Sequence, residues 1–558
     1  MNFDNIEVIN LNHVKYLEKK LLNGQFEDLE KIIENLNKKN FNHPAVKLLY
    51  ANSKVLKKNS KLEEKKIAFD IFLETYKSNP NFKKVLYNLC AICFQIKEYN
   101  KILILLEDFI KQNDYDDKVY GTLYKIYGIL GEAEKANEFV KIIVKNEPKN
   151  LEAWSAYIFT SLYLEKFKQK DAINLFKEFT NNVPKYEVKE KISNQTLNGK
   201  IRVGFITPYF NGNSIDGFLL GLIENMDRKK FEIIGFNLCN SNQKSDHLIH
   251  HFDDWNHVFD LKDLELINFI RKKNINILFD LVGHGPGNRL PIFKNRVASI
   301  QISWLGYTNS TWLKEIDYII SDPYLIKRNE KNLYYEKVLY LPNIWGAHKK
   351  LDEKLKIKKL PYDTNNYVTF GSFNNFLKIS NNVIRVWSEI LDKTNSRLIL
   401  KCSMHDSLEI RERFLDKFPK NITSKNKIVL LERQKEKQKH INLYNEIDIG
   451  LDTFPYTGVT TTFEAIWMGV PVLTLKGDNF TSRCGESINI NLNLREFIAN
   501  DTDDYIKKAI NFTKKIEIIR DLRKNLRERA KNSSLYKTKD FSNHFCNELK
   551  NLWIKKIT

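Results

Sequence analysis

A single stretch, DTFPYTGVTTTFEAIWMGVPVLT from Asp452 to Thr474, narrows the choice of folds more than any other part of the chain. Residues 447–451 are a short apolar run that reads as a strand. Pro455 to Gly458 break it, and Thr460 to Gly469 read as a helix before a second apolar run begins. Strand, glycine turn and helix in that order belong to a parallel α/β sheet. The helix would begin at the turn, so its unpaired N–H groups, the positive end of its dipole and the hydroxyls of Thr460 and Thr461 would share one location. That combination attracts phosphate. Glu464, one turn further in, would repel an anion and suits ribose hydroxyls instead.

The surrounding sequence extends this pattern. Residues 201–206, 231–236, 275–281 and 300–303 are short apolar strands separated by helical segments. A second set follows at 367–370, 397–401, 427–431, 447–451 and 471–475. Each set predicts a Rossmann-like half, here 200–355 and 356–558, with a ligand cleft at the carboxyl ends of the strands. Residues 1–185 are different: amphipathic helix pattern throughout, with little glycine or proline. Helix-ending punctuation at Asn79-Pro80, Asn113-Asp114 and Glu147-Pro148 recurs every 34 residues, which is the tetratricopeptide period. Helices are expected at 85–96 with 101–111, and at 151–163 with 170–180. Such arrays can bind extended peptides or serve as spacers. Residues 186–199 read as a polar linker.

At 558 residues, 42% of them hydrophobic, the chain is long enough for several globular cores. No apolar run is long enough to span a bilayer, and the start has no signal-peptide pattern, so a soluble cytoplasmic protein is expected. The six cysteines suggest no disulfide framework, and Cys90 and Cys93 sit in a helical apolar pattern. A net charge of +20 would ordinarily suggest nucleic acid. The lysines are dispersed and not interleaved with aromatics, which argues against nucleic acid and leaves a field favourable to an anionic small molecule.

The 452–474 segment resembles the sugar-nucleotide loop of the bacterial and eukaryotic O-linked N-acetylglucosamine transferases. Three other stretches resemble further signatures of that family, in its order: DLVGHGPGNR from Asp280, QISWLGY from Gln301 with IDYIISD ending at Asp322, and FGSFNNFLK from Phe370 to Lys378. The resemblance covers about residues 200–500. It implies tetratricopeptide-like helices followed by a GT-B glycosyltransferase fold of two Rossmann-like domains.

By that resemblance, Lys378 is the essential lysine that contacts the β-phosphate and neutralises the leaving group. Asn375 stands where the family often has glutamine near the diphosphate. Lys437 and His440 fall at positions used against the base or ribose, Gly458, Thr460 and Thr461 form the phosphate turn, and Glu464 is the ribose carboxylate. The chain departs from the family after Phe210. Asn213 stands where the family places a histidine long considered important for catalysis, and an asparagine cannot serve as a general base near neutral pH. Asp216 and His284 are the nearby candidates to take its place, each weighed against a structural role. His247, His250, His251 and His257 have partly metal-like spacing but lack a supporting acid or cysteine pair, so a partly exposed cluster is expected.

The expectation is therefore an inverting transferase that moves a sugar, N-acetylglucosamine from UDP by resemblance, onto serine or threonine of a protein. No metal cofactor, nucleic acid or membrane insertion is expected, and the acceptor could be engaged through the helical repeats. The alternatives are another donor such as GDP-fucose or a glucose nucleotide, a non-protein acceptor, or a repeat protein that binds sugar nucleotide with weak turnover or none.

Overall fold

The computed structural model describes residues 3, 8–38, 42–170, 172–192, 196, 199–210, 212, 214–240, 246–401, 407–434 and 436–558. Helices account for the regular structure up to residue 182. Leu11–Leu22, Phe26–Lys38, Pro44–Leu56, Leu62–Ser78, Lys83–Ile96 and Tyr99–Gln112 are followed by Asp117–Ile129, Ala133–Asn146, Leu151–Ser161 and Ala172–Asn182. The 34-residue punctuation has a direct structural meaning: Asn79, Asn113 and Glu147 are each the C-cap of a helix. The Asn79 and Asn113 side-chain amides donate back to the carbonyls of Thr75 and Phe109, supplying partners that the helix end lacks. Lys83–Ile96 shows why the helices pair: Val85, Leu86, Leu89, Cys90, Ile92, Cys93 and Ile96 are buried at helical spacing. Cys90 is a packing residue whose thiol burial pushes up to about 11.

The chain divides into two compact units, residues 1–126 and 127–558, with the division inside Asp117–Ile129. The expected boundary lay at 185. The later helices belong with the sheets because they make specific contacts to them. Phe176 stacks on Trp312 with centroids 5.5 Å apart, the Thr180 hydroxyl donates to Trp312 O at 2.9 Å, and the Gln169 and Asn309 amides exchange hydrogen bonds of 2.6 and 2.9 Å.

The second unit contains two parallel sheets. The strands of the first are β1 (Ile201–Thr207), β2 (Phe231–Asn237), β3 (Asp254–His257), β4 (Ile277–Asp280), β5 (Ile300–Ser303), β6 (Tyr318–Ser321) and β7 (Lys337–Tyr340). Their order is β3-β2-β1-β4-β5-β6-β7, and the β1–β4 pair sets Val203 opposite Ile277. The second sheet comprises β8 (Val368–Ser372), β9 (Ser396–Lys401), β10 (Ile428–Leu431), β11 (Ile449–Leu451), β12 (Val472–Leu475) and β13 (Ile498–Ala499), in the order β10-β9-β8-β11-β12-β13. In each sheet the strand order reverses once near the centre, between β1 and β4 and between β8 and β11. Ligands bind outside such switch points because the loops on either side turn away from each other and leave a crevice. The quoted motifs leave the carboxyl ends of β4, β5, β8 and β11.

A buried polar seam joins the halves. Asp322, at the end of β6, accepts from the Ser487 hydroxyl at 2.7 Å, and Arg483 pairs with Glu330 while donating to Leu325 O. Arg483 is thus structural. The final helix, Thr538–Ile557, returns to the first sheet, where Phe545 lies 5.0 Å from Trp304 and 5.5 Å from Phe279 and the Ser542 hydroxyl donates to Leu222 O. No helix among the described residues is long and apolar enough to cross a membrane.

Gly306, in the loop after β5, shows how tightly these loops are set. A Cβ there would lie 1.8 Å from the Leu281 carbonyl oxygen, a backbone atom that cannot rotate away. Gly306→Ala should therefore destabilise the second unit by about 3 kcal/mol or more, seen as a lower denaturant midpoint with the same slope.

Candidate active site

The loops leaving β8 and β11 converge. After β8, Asn374 is buried, and Asn375 accepts from the Leu377 N–H at 3.0 Å, capping the one-turn 3-10 segment Phe376–Lys378. That turn delivers Lys378, whose Nζ donates to Thr457 O at 2.9 Å and lies 4.3 Å from the centroid of the Tyr456 ring. Burial here pulls the Lys378 ammonium down to about 8, with Asp452 and Cys484 opposing the shift.

Asp452 organises the second loop. Its Oδ1 accepts from the Thr453 N–H at 2.9 Å and the Gly458 N–H at 2.7 Å, and its Oδ2 from the Thr474 hydroxyl at 2.8 Å. Burial pushes this carboxyl up to about 6, against the pull of those donors. A Cβ on Gly458 would come within 2.7 Å of Thr461 Oγ1 and 2.9 Å of Asn374 Oδ1, so glycine lets the turn close onto the hydroxyls.

The helix Thr460–Trp467 starts there, with Val459 as an N-cap that supplies no side-chain acceptor. Its first amides have no intrahelical partner, which leaves the positive helix end available to an anion. Thr461 Oγ1 donates to Asn374 Oδ1 at 2.9 Å, and Thr460 Oγ1 donates to Ser214 O, in the loop after β1, at 3.3 Å. A cleft of ≈ 290 Å³ lies between these loops, with Ser214, Gly306, Thr308, Asn375, Lys378 and Thr460 among its walls.

A second cluster adjoins it. Glu464 Oε2 lies 3.0 Å from His440 Nε2 and 3.2 Å from the Tyr444 hydroxyl, which is also 3.1 Å from Thr461 O. Glu464 and His440 are thus brought together, and through Tyr444 and Thr461 they connect to the helix start. Lys437 is exposed at the first turn of Lys437–Asn442.

Of the remaining candidates, Asn213 lies outside the described residues, Asp216 follows β1 and His284 follows β4. Asp216 Oδ2 accepts from the Gly212 N–H at 2.7 Å and sits 2.9 Å from His247 Nε2, while Oδ1 is buried with no hydrogen-bond partner among the described residues. Burial pushes the Asp216 carboxyl up, opposed by His247, the Gly212 amide and the charge of Lys437. His284 is in a different setting. Its ring nitrogens face the Ser155 hydroxyl and Thr311 O, both at 3.2 Å, and Phe179 packs edge-on at 4.7 Å. Burial drives its pKa down to about 3, and it is not among the residues lining the cleft. His284 therefore packs the last repeat against the sheet and is a poor candidate for the proton acceptor.

The histidine cluster disperses onto separate partners: His247 onto Asp216, His251 near Glu224, and His257 near Asn237. Among the described residues, no group of three or more His, Cys, Asp or Glu could hold a metal ion. Sequence reasoning missed Asp452, Asn374 and Tyr456 as site residues. Asp452 and Tyr456 stood inside the quoted motif, where a buried acid beside a glycine turn was a usable signal.

Two parallel sheets whose switch-point loops bring a helix start, paired hydroxyls and a half-buried ammonium to one cleft have the architecture of a GT-B glycosyltransferase. The chain belongs to glycosyl transferase family 41, whose profile matches residues 169–366 and 357–545. It is 30% identical over 360 residues to a probable UDP-N-acetylglucosamine–peptide N-acetylglucosaminyltransferase SPINDLY of Solanum lycopersicum, covering 63% of this chain and 38% of the relative. A probable transferase of the same description, SEC of Arabidopsis thaliana, is 25% identical over 354 residues, 61% of this chain and 36% of the relative. The chain thus spans well under half the length of these relatives. A Thermobaculum terrenum O-GlcNAc transferase mutant shares the fold, with a TM-score of 0.78 at 21% identity over 92% of this chain and 98% of that one.

The setting of Lys378 has a measurable signature. Its reactivity toward a small acylating reagent, followed peptide by peptide against pH, should rise with a midpoint near 8, whereas exposed lysines titrate at about 10.4. A Lys378 midpoint in the ordinary lysine range would show that the amine is solvated.

Proposed function

We propose that this protein transfers a sugar from a nucleotide donor, N-acetylglucosamine from UDP, to serine or threonine hydroxyls of a protein, with inversion. The observation that carries the reading is the convergence of Lys378 and the Thr460 helix start on one cleft. In an inverting displacement, the acceptor oxygen forms a bond to the anomeric carbon as the bond to the diphosphate oxygen breaks, and the leaving group departs with that electron pair. Negative charge therefore grows on the diphosphate, where a fixed ammonium and free helix amides stabilise it more in the transition state than in the ground state. We assign Glu464 and His440, paired beside the helix start, to the ribose and base. The names of the plant relatives support a UDP-N-acetylglucosamine donor and a peptide acceptor.

We assign the donor's charge to these protein groups and not to a metal, so turnover should persist in EDTA. The proton released by the acceptor has no assigned recipient at residue 213, because asparagine cannot take it. Asp216, backed by His247, is the carboxylate that the loop after β1 offers. A donor-binding protein with little turnover is the second reading, and Asn213 is what favours it.

A panel of sugar nucleotides, scored by thermal shift and by nucleotide release with and without host lysate, tests the proposal. Lysate-dependent release from UDP-N-acetylglucosamine supports it, release from a GDP sugar changes the donor, and binding without release in every condition selects the second reading. Lys378→Met should abolish release while leaving the melting temperature close to that of the parent protein. Replacing Thr460 and Thr461 together by valine should weaken UDP binding by about 1–3 kcal/mol, measured by calorimetry. An unchanged affinity would put the phosphates elsewhere. Because the ammonium form of Lys378 is the active one, kcat/KM should fall as pH rises through about 8.

A further inference from the structure

The helical segment from residue 127 onward does more than abut the sheets. It touches both loops that make the cleft, at three places around Lys378.

The first contact is aromatic. Tyr163, just beyond Leu151–Ser161, is 8% exposed and stacks on Tyr456 with centroids 4.6 Å apart and planes 19° from parallel. Lys378 sits over that same Tyr456 ring at 4.3 Å. Phe159, one turn earlier, approaches Tyr456 at 6.4 Å and Tyr307 at 6.2 Å. The second contact is steric. Gly131 has φ +72°, and a Cβ there would lie 2.9 Å from the carbonyl oxygen of Phe376. The repeat backbone thus presses on the 3-10 turn that ends in Lys378. The third is polar: the Ser380 hydroxyl, which caps the helix Asn381–Lys393, donates to Glu165 Oε1 at 2.7 Å. Lys378 thus lies between two residues, Phe376 and Ser380, that the repeats hold, and against a ring that they stack upon.

We propose that the last helical repeat is a working part of the catalytic cleft, and that Tyr163 is a positioning residue which holds Lys378 in place through Tyr456. A lysine side chain has many rotamers open to it, and the 3-10 turn alone fixes only its backbone. Two further constraints select one rotamer: the hydrogen bond to Thr457 O and the face of the Tyr456 ring. Tyr456 follows Pro455 at the tip of a turn, and the face-to-face stack from Tyr163 braces it. Stacked aromatic pairs attract one another beyond what their buried area supplies, which biases the ring toward one orientation. Held in that orientation, the Tyr456 ring covers one side of the ammonium. The charged or titratable groups that act on Lys378 are Asp452 and Cys484, with Tyr456 against its ammonium, and Tyr163 replaces none of them.

This inference rests on the transferase reading, but its test does not depend on turnover alone. Tyr163→Ala and Tyr163→Phe are compared with the parent chain, with Glu132→Gln as a control that breaks the Arg413 ion pair of the preceding repeat. Two quantities are read: the pH midpoint of Lys378 acylation, and kcat separately from KM for the donor.

In Tyr163→Ala, water reaches the ammonium, so the Lys378 midpoint should move upward from about 8. Labelling at pH 8 should fall several-fold, kcat should fall about tenfold or more, and KM should change little. Tyr163→Phe keeps the ring and should restore both quantities, and Glu132→Gln should leave the midpoint where it is. An unmoved midpoint in folded Tyr163→Ala overturns the proposal whatever happens to turnover, and so does an equal shift in Glu132→Gln, which would mark a general loosening. Failure of the transferase reading looks different: the parent chain releases no nucleotide, and UDP does not protect its Lys378 from acylation.

Discussion

The site depends on a buried carboxylate that organises its loops. Asp452 is 1% exposed, and a charged group in that position costs several kcal/mol unless it is paired. Its hydrogen-bond donors, the Thr453 and Gly458 amides, the Thr474 hydroxyl and, at 3.4 Å, the Asn374 side-chain amide, at about 1.5–3 kcal/mol each for a charged acceptor, offset that cost only when engaged together. Engaging them requires the chain to turn after β11, bring the Gly458 amide back beneath Thr453, and set β12 alongside so that Thr474 can reach. The start of Thr460–Trp467, the Thr461–Asn374 bond and the carbonyl that receives Lys378 all follow from that one closure.

Much of this arrangement could be read from the chain, and the exceptions have physical causes. The central strands β1, β2, β4 and β5 are buried on both faces and show as continuous apolar runs, so they were expected. β3, with the sequence DWNH, and β7, with KVLY, lie at the sheet's edges, and none of their residues is fully buried, so hydrophobicity gives them no signature. The punctuation of the repeats was legible because asparagine caps leave a spaced trace. Lys378, Gly458, Thr460, Thr461, His440 and Glu464 were legible through motifs, and the structure brings them to one side of the second sheet's switch point. His284 was not correctly placed, because its ligands Ser155 and Thr311 are remote in sequence and the surrounding Phe176 and Phe179 belong to the repeats. Tyr163 gave no signal at all. A single tyrosine in an apolar helix looks like any core residue until the fold sets it on a ring 293 positions away.

The division of the chain at residue 126 clarifies what kind of object the second unit is. The helices after that point share a polar and aromatic interface with the sheets: Glu132 with Arg413, Gln169 with Asn309, Thr180 with Trp312. Isolated surface ion pairs contribute little. Buried paired amides and stacked rings specify one arrangement, because a shifted register would leave polar groups without partners. The repeat pattern continues through residue 126, but the helices after it pack against the loops that line the cleft.

The last helix, Thr538–Ile557, sets an order of events for synthesis on the ribosome. Phe541 and Phe545 pack against Trp304 and Phe279, so the core of the first sheet is finished by residues that emerge long after its own strands. A nascent chain that has made β1 to β7 therefore exposes the apolar surface that this helix will cover, at the stage when partly built sheets are prone to aggregate. The two halves cannot mature one after the other as beads on a string. They close together, when the chain's later residues arrive.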